Sequence, residues 1–298
     1  MRHRRLGLFG LLLLLAGPCA AQTANRVTIL YDAFGKTETL TKDWGFSALI
    51  ESGGKRILFD TGNSAQIFEH NVKALGVDLG NLDFVVISHR HADHTSGLTY
   101  LLSVNPTVKI YTPDEPFGLF GKGVPNTFYR KDQSLAAGMR YFDGNPPQVL
   151  SAGSPWPKAN FVPVTSVMEV APGFFLIPTI SQVTGTIELR EVSLAIRSPD
   201  GLILVDGCSH AGVEKILEAV TKIDTHIHVL FGGLHLVQAP DPEIERISSA
   251  LRNQWKIDYI AIGHCTGEPT FVALQKTFGD RYIYAGVGTV VQIPSSSR

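Results

Sequence analysis

A chain of 298 residues that is 44% hydrophobic has enough apolar content to bury a large core, as one sizeable α/β domain or two small ones. Its net charge of −1 supplies no long-range field for nucleic acid or an anionic membrane surface. Low-complexity tracts and repeats at solenoid periods are not evident, which excludes repeat architectures.

The first residues are a different material. Arg2, His3, Arg4 and Arg5 form a basic start, Leu6 to Ala16 an apolar run of secretory length, and Cys19-Ala20-Ala21 a small-residue cleavage site before Gln22. Residues 1–21 therefore read as a signal peptide and residues 22–298 as a periplasmic or secreted domain. The run is short for a membrane span, so no stable span is expected once the leader is removed. The twin arginines lack the rest of a Tat-type pattern, and Pro18 disfavours acylation of Cys19. Only Cys208 and Cys265 then remain, and a plain disulfide between them is one reading in an oxidising compartment.

Val27 to Tyr31 reads as a strand, and Phe46 to Ser52 as another that turns through Ser52-Gly53-Gly54-Lys55 into Arg56 to Phe59. Asp60-Thr61-Gly62-Asn63 closes that strand. Ser64 caps a helix through Ile67, Phe68, Val72 and Leu75, ended by Gly76. Leu82 to Ile87 is a short apolar strand of the buried kind. A helix starting at Asp93 or Thr95 runs on through Leu98, Leu101 and Leu102. Residues 113–172, rich in proline and aromatics such as Phe117, Phe128, Tyr141 and Trp156, read as an irregular insertion, either a lid or a flap over core edges.

Alternation then returns. Phe174 to Pro178, Val192 to Arg197 and Leu202 to Asp206 are strands, with Ser198-Pro199-Asp200-Gly201 a hairpin turn. Val213 to Ile223 is a helix, Ile227 to Phe231 a strand, Pro242 to Leu251 a helix, Tyr259 to Ile262 a strand and Pro269 to Phe278 a helix. Two α/β halves of this kind make a sheet sandwich flanked by helices.

Between the strand ending at Ile87 and the next helix lies His89-Arg90-His91-Ala92-Asp93-His94. Four metal-competent side chains in six residues are too many for one tetrahedral ion to use easily, which points to two ions. Three more histidines each follow an apolar strand: His210 in Gly207-Cys208-Ser209-His210, His235 in Gly232-Gly233-Leu234-His235, and His264 in Gly263-His264-Cys265. Strand ends that converge on one edge would gather them, and neighbouring glycines let backbone approach a crowded centre. His264 and His210 are read as ligands, and His235 as a ligand or substrate contact. Asp60, beside such a site, can orient a ligand imidazole through its free N–H. His226 and His228 alternate on one strand and read as a solvated or helix-covered face; His70 is bland.

His-x-His-x-Asp-His after a buried strand, preceded by Phe59-Asp60-Thr61-Gly62, resembles the metallo-β-lactamase superfamily. The resemblance implies a four-layer αβ/βα sandwich with a dinuclear site at one edge of the paired sheets. It assigns His89 and His91 to one metal, Asp93 and His94 to the other, and matches His264 to the last histidine. Within the superfamily, Trp44-Gly45-Phe46-Ser47, Gly207-Cys208-Ser209-His210-Ala211-Gly212, Gly233-Leu234-His235-Leu236 and His264-Cys265-Thr266-Gly267 look like the dihydropterin-ribofuranosylaminobenzene-phosphate synthase-like branch. Two positions depart from the hydrolase pattern. The region of the usual third histidine reads Ile180-Ser181-Gln182-Val183-Thr184-Gly185, and the usual strand-Gly-Asp reads Gly207-Cys208. His210, with Cys208 or His235, must replace what is missing.

The expected activity is exported, metal-dependent hydrolysis of a small ester, lactone, amide or phosphoester by a metal-activated water, with Asp93 orienting the nucleophile. One or two divalent ions are expected, zinc by default, with iron or manganese fitting the same ligands. The alternatives are a synthase-like transferase and a non-catalytic protein that uses a metal centre to bind a ligand. The partner is a small molecule rather than nucleic acid.

Overall fold

The computed structural model describes residues 25–295 except 117, 122, 151 and 152. The expected leader and Phe117 lie outside the described residues. The first half runs β1 (Arg26–Tyr31), β2 (Ser47–Ser52), β3 (Lys55–Phe59), α1 (Ala65–Ala74), β4 (Phe84–Val86), α2 (Ala92–Thr95), α3 (Leu98–Val104), β5 (Lys109–Pro113), then the short pair β6 (Val124–Pro125) and β7 (Val149–Leu150). There follow β8 (Asn160–Val164), β9 (Met168–Ala171), β10 (Phe174–Ile180), β11 (Arg190–Ser198), β12 (Gly201–Asp206), α4 (Val213–Val220), β13 (Ile227–Gly232), α5 (Asp241–Ser249), β14 (Tyr259–Ile262), α6 (Glu268–Phe278) and β15 (Val290–Gln292).

Seven strands form one sheet in the order β15-β1-β2-β3-β4-β5-β8, and six form the other in the order β14-β13-β12-β11-β10-β9. Alternating strand residues explain the layering. Val27, Ile50, Ile57 and Phe59 of the first sheet pack against Leu176, Leu194, Val205 and Phe231 of the second, making the core between sheets. The opposite faces are covered by helices. Phe68, Val72, Leu98 and Leu101 of α1 and α3 close over the first sheet, and Ile216, Leu217, Ile247 and Leu274 of α4, α5 and α6 over the second. Each large side chain so buried contributes about 1.5–3 kcal/mol. The result is the four-layer αβ/βα sandwich expected from the sequence.

What positions the site is strand direction. β3, β4 and β5 are mutually parallel in one sheet, as are β12, β13 and β14 in the other. The loops leaving β3, β4, β12, β13 and β14 thus meet at one edge of the sandwich.

Several expectations shift. The helix expected from residue 93 or 95 is two helices, α2 and α3, broken at Ser96-Gly97. The segment 113–172 is only partly irregular: β8 adds to the first sheet beside β5, and β9 adds to the second beside β10. Strand β15 was absent from the pattern because Val290-Val291-Gln292 is too short to show a period; it pairs antiparallel with β1. His228 is not solvated but 1% exposed, with its ring against Tyr259. Among the described residues no helix is long and apolar enough to cross a membrane.

Candidate metal centre

Asp60, in the left-handed region (φ 56°), ends β3 next to β4, so its carboxylate turns toward the loop leaving β4. Its Oδ1 accepts from Ser88 N at 2.7 Å. Its Oδ2 accepts from Ser88 Oγ at 2.6 Å and lies 2.6 Å from His94 Nδ1. A carboxylate only accepts, so the His94 proton sits on Nδ1 and the lone pair on Nε2. The Ser88 hydroxyl donates its one hydrogen to Asp60 and so can only accept from His89 Nδ1, 2.9 Å away. His89 therefore also presents an unprotonated Nε2, 3.0 Å from His91 Nδ1.

Buried acids hold the second-half loops. Asp206, at the end of β12, accepts from Ser193 Oγ at 3.1 Å, from Gly207 N at 3.0 Å and from Ser209 Oγ. Burial pushes its carboxyl up to about 6, against the pull of the Ser209 and Ser193 hydroxyls. Glu191 accepts from Ala211 N at 3.1 Å and is driven well above the usual carboxyl range by burial and then by Asp206. Asp32 accepts from His264 N at 3.0 and 3.2 Å, and burial raises it to about 7 despite His264. Ser209, His235 and His264 all adopt left-handed backbone, at φ 62°, 50° and 49°. Such conformations cost free energy and persist where surrounding structure imposes them. Gly207 lets the two halves touch: a Cβ there would lie 2.2 Å from Ser88 Oγ and 3.2 Å from Asp60 Oδ2.

The residues named from the sequence gather into two sets side by side. His89, His91 and His210 bring ligand atoms within 4.8 Å of one another, and so do Asp93, His94 and His264. His210 thus stands with the paired histidines, where the 180–185 segment has none; Ser181 Oγ instead donates to the His210 carbonyl at 2.8 Å. His94 Nε2 lies 3.1 Å from His264 Nε2, and Asp93 Oδ2 lies 3.4 Å from the same nitrogen. Cys208 sits between the sets, its Sγ 3.2 Å from His94 Nε2 and grouped with His89 and His94. His235 is more peripheral: it is exposed, with its ring 4.1 Å from that of His210, and its ligand atom groups with the thiols of Cys208 and Cys265. Both cysteines are free thiols, so the disulfide reading does not hold. Cys265 Sγ instead approaches the Cys208 carbonyl at 3.7 Å.

The donor set fits divalent metal. Both ring nitrogens of His210 are buried without a hydrogen-bond partner, a costly state that a coordinated ion relieves at one of them. Burial and neighbouring imidazoles hold His89 well below its ordinary value and His210 at about 3, so both are ready as neutral ligands. Burial alone would raise Asp93, but the bond to His264 and the neighbouring His94 and His264 imidazoles keep it well below the carboxylate range. His264 is the exception: burial opposes its proton, yet Cys265, Asp93 and Asp32 raise it to about 9. Imidazole and carboxylate with a thiolate suit zinc, iron or manganese rather than calcium.

Sequence reasoning missed Asp32, Ser88, Glu191 and Asp206, and read Cys265 as a disulfide partner rather than as part of the site. Asp32 and Asp206 could have been flagged as acids at the ends of apolar strands, the position that singled out Asp60. Glu191 and Ser88 carried no such signal. Trp44 borders the site, 45% exposed with its ring 5.2 Å from that of His264.

A four-layer sandwich with histidine and aspartate sets at the paired sheet edges defines a class, and the chain belongs to it: residues 45–196 match the metallo-beta-lactamase superfamily. More particularly, the chain is 29% identical, over 80% of its length and 86% of the relative's, to a 7,8-dihydropterin-6-methyl-4-(beta-D-ribofuranosyl)-aminobenzene-5'-phosphate synthase of Methanocaldococcus jannaschii. It is 39% identical to the anti-Pycsar protein Apyc1 of Bacillus phage 010DV004, over 37% of this chain and 41% of that one. Among solved structures it is similar to Tm1679, described as a metal-dependent hydrolase of the beta-lactamase superfamily, with TM-score 0.68 and 24% identity over 91% of this chain and all of that one (100%).

Proposed function

We propose that the chain is an exported metal-dependent hydrolase acting on a small ester, lactone, amide or phosphoester. The observation that carries this reading is the pair of adjacent three-ligand sets, His89/His91/His210 and Asp93/His94/His264, joined by Cys208. When bound, divalent ions, zinc first, supply Lewis acidity that polarises the scissile bond and makes water acidic enough to attack near neutral pH. The chain's own residues do the rest. Asp60 and Ser88 keep the Nε2 lone pairs of His94 and His89 facing the centre. Asp93, ionised and 20% exposed, would orient the attacking water and handle its proton while also holding metal. His235, exposed against His210, would contact the substrate, and Trp44 is exposed against His264 beside it. Export rests on the basic and apolar composition of residues 1–21.

The synthase relative favours a second reading, transfer to a substrate acceptor in place of water. Metal-loaded wild type and Asp93→Ala should be screened against ester, lactone, β-lactam and phosphodiester substrates. Turnover in wild type alone, lost on chelation, is the expected result. Absence of metal in the purified, metal-exposed protein, or full activity and metal retention in His91→Ala, overturns the proposal.

A further inference from the structure

A second cluster of ligand-bearing side chains lies at the opposite edge of the second sheet, where β13 and β14 begin. His226 Nε2 and His228 Nδ1 each lie 2.9 Å from the same atom, Asp258 Oδ2. His228 is 1% exposed, and its Nε2 donates to the Pro294 carbonyl at 2.7 Å. That bond places the proton of a neutral ring on Nε2, so the Nδ1 lone pair points at a carboxylate lone pair. Two lone pairs at this distance repel, so either the ring carries a second proton on Nδ1 or a metal ion lies between the two atoms. A second imidazole converges on the same oxygen, and the three ligand atoms lie within 4.8 Å of one another.

We propose that His226, His228 and Asp258 hold a transition-metal ion, of the zinc, nickel or copper class, that is separate from the candidate centre at the other strand ends. Two imidazole nitrogens and one carboxylate oxygen are a donor set for such ions. The Nε2–H to carbonyl bond of His228 is the arrangement that orients a ligating histidine. His226 is 51% exposed and Asp258 26%, so water can complete the coordination. Arg281 Nη1 approaches the other oxygen, Oδ1, only to 3.9 Å, which leaves Oδ2 to the ion. Gly201 leaves room for the His226 ring itself, since a Cβ there would sit 2.9 Å from Nδ1, the nitrogen that does not meet Asp258. Pro294 follows β15 of the first sheet, whereas His228 belongs to β13 of the second. The ion therefore braces a contact between the two sheets and does not touch substrate.

The test uses the full-length protein, stripped with chelator and brought to equilibrium by dialysis against zinc. Bound zinc per chain is counted in wild type, His226→Ala and Asp258→Asn, and the melting temperature of each is followed with and without zinc. Both variants are expected to bind one zinc fewer than wild type and to lose part of the zinc-induced rise in melting temperature, with hydrolytic activity unchanged. Equal zinc counts in all three proteins would mean an imidazolium–carboxylate ion pair only, and the proposal falls. Should one variant misfold, judged by circular dichroism, the other and His226→Gln decide. The result is independent of the hydrolase reading, because neither variant touches the residues of that site.

Discussion

Asp60 sets the tautomer of His89 without touching it. The carboxylate accepts the Ser88 hydroxyl proton at 2.6 Å, and the hydroxyl oxygen in turn accepts from His89 Nδ1 at 2.9 Å. The same Oδ2 holds His94 Nδ1 at 2.6 Å. One buried carboxylate thus governs an imidazole in each ligand set. Ser88→Ala should free His89 alone, while Asp60→Asn should disturb both. The expected losses are about 10–100-fold in metal affinity for each change. Competition with a coloured chelator measures them, and only Asp60→Asn should weaken two binding steps.

Cys208 stands where its thiol faces both sets. Its replacement by Asp, which restores a hard bridging ligand, should keep metal content and activity; Cys208→Ala should lower the affinity of at least one ion. Cobalt substitution reports the sulfur directly. A sulfur-to-cobalt charge-transfer band in wild type should vanish in both variants, and its absence from wild type would show that the thiol does not ligate.

The two sets should differ in pH dependence. His264 in the metal-free protein keeps its proton up to about pH 9, above its ordinary 6.5. An ion entering the Asp93/His94/His264 set below that pH must displace the proton. Its affinity should therefore rise with pH between about 6.5 and 9, roughly tenfold per unit for each proton released, and then level off. His89, His91 and His210 are shifted the other way and are already neutral in that window. Binding at their set should be flat there. Burial also raises the Cys208 thiol, so a ligating Cys208 adds a second proton to the slope, which Cys208→Ala removes. Calorimetric titration in buffers of different ionisation enthalpy counts the protons.

Gly207→Ala would drive a methyl group into Ser88 Oγ, 2.2 Å from the ideal Cβ position. Neither Ser88 nor Asp60 can yield without losing the bonds that orient His89 and His94. We expect a cost of about 1–3 kcal/mol, lowering the melting temperature by about 2–4 °C for each kcal/mol, together with weakened metal binding. An alanine variant with the melting point and metal affinity of wild type would show that the approach of the halves is slack.

Much of this was legible in the sequence because strands announce themselves by β-branched alternation and ligands by residue type. The loop His89 to His94 and the strand-end histidines could be named before their neighbours were known. Which of them meet could not, since it depends on parallel strands in different sheets. Cys208 and His210 lie two residues apart, yet they serve different places because Ser209 turns the backbone through the left-handed region. Glu191 lies just before the apolar run Val192 to Arg197, as the second residue of β11, and nothing local distinguishes it from a solvent-facing acid. Its burial is a property of the loop that packs on it. Within the 113–172 segment the prolines masked two edge strands: β8, which tolerates Pro163 at the edge of the first sheet, and β9, which Pro172 follows.

His94 and His264 touch across a separation of 170 residues. During synthesis, the loop carrying His89, His91, Asp93 and His94 leaves the ribosome well before Cys208, His210 and His264 do. A metal ion that meets this nascent loop finds few, poorly fixed donors and can leave again. Tight capture waits until β12 and β14 have joined the second sheet and that sheet has docked on the first. Tight metal binding is therefore expected only once both sheets are in place, because the fold rather than the ligand-rich loop brings the two donor sets together.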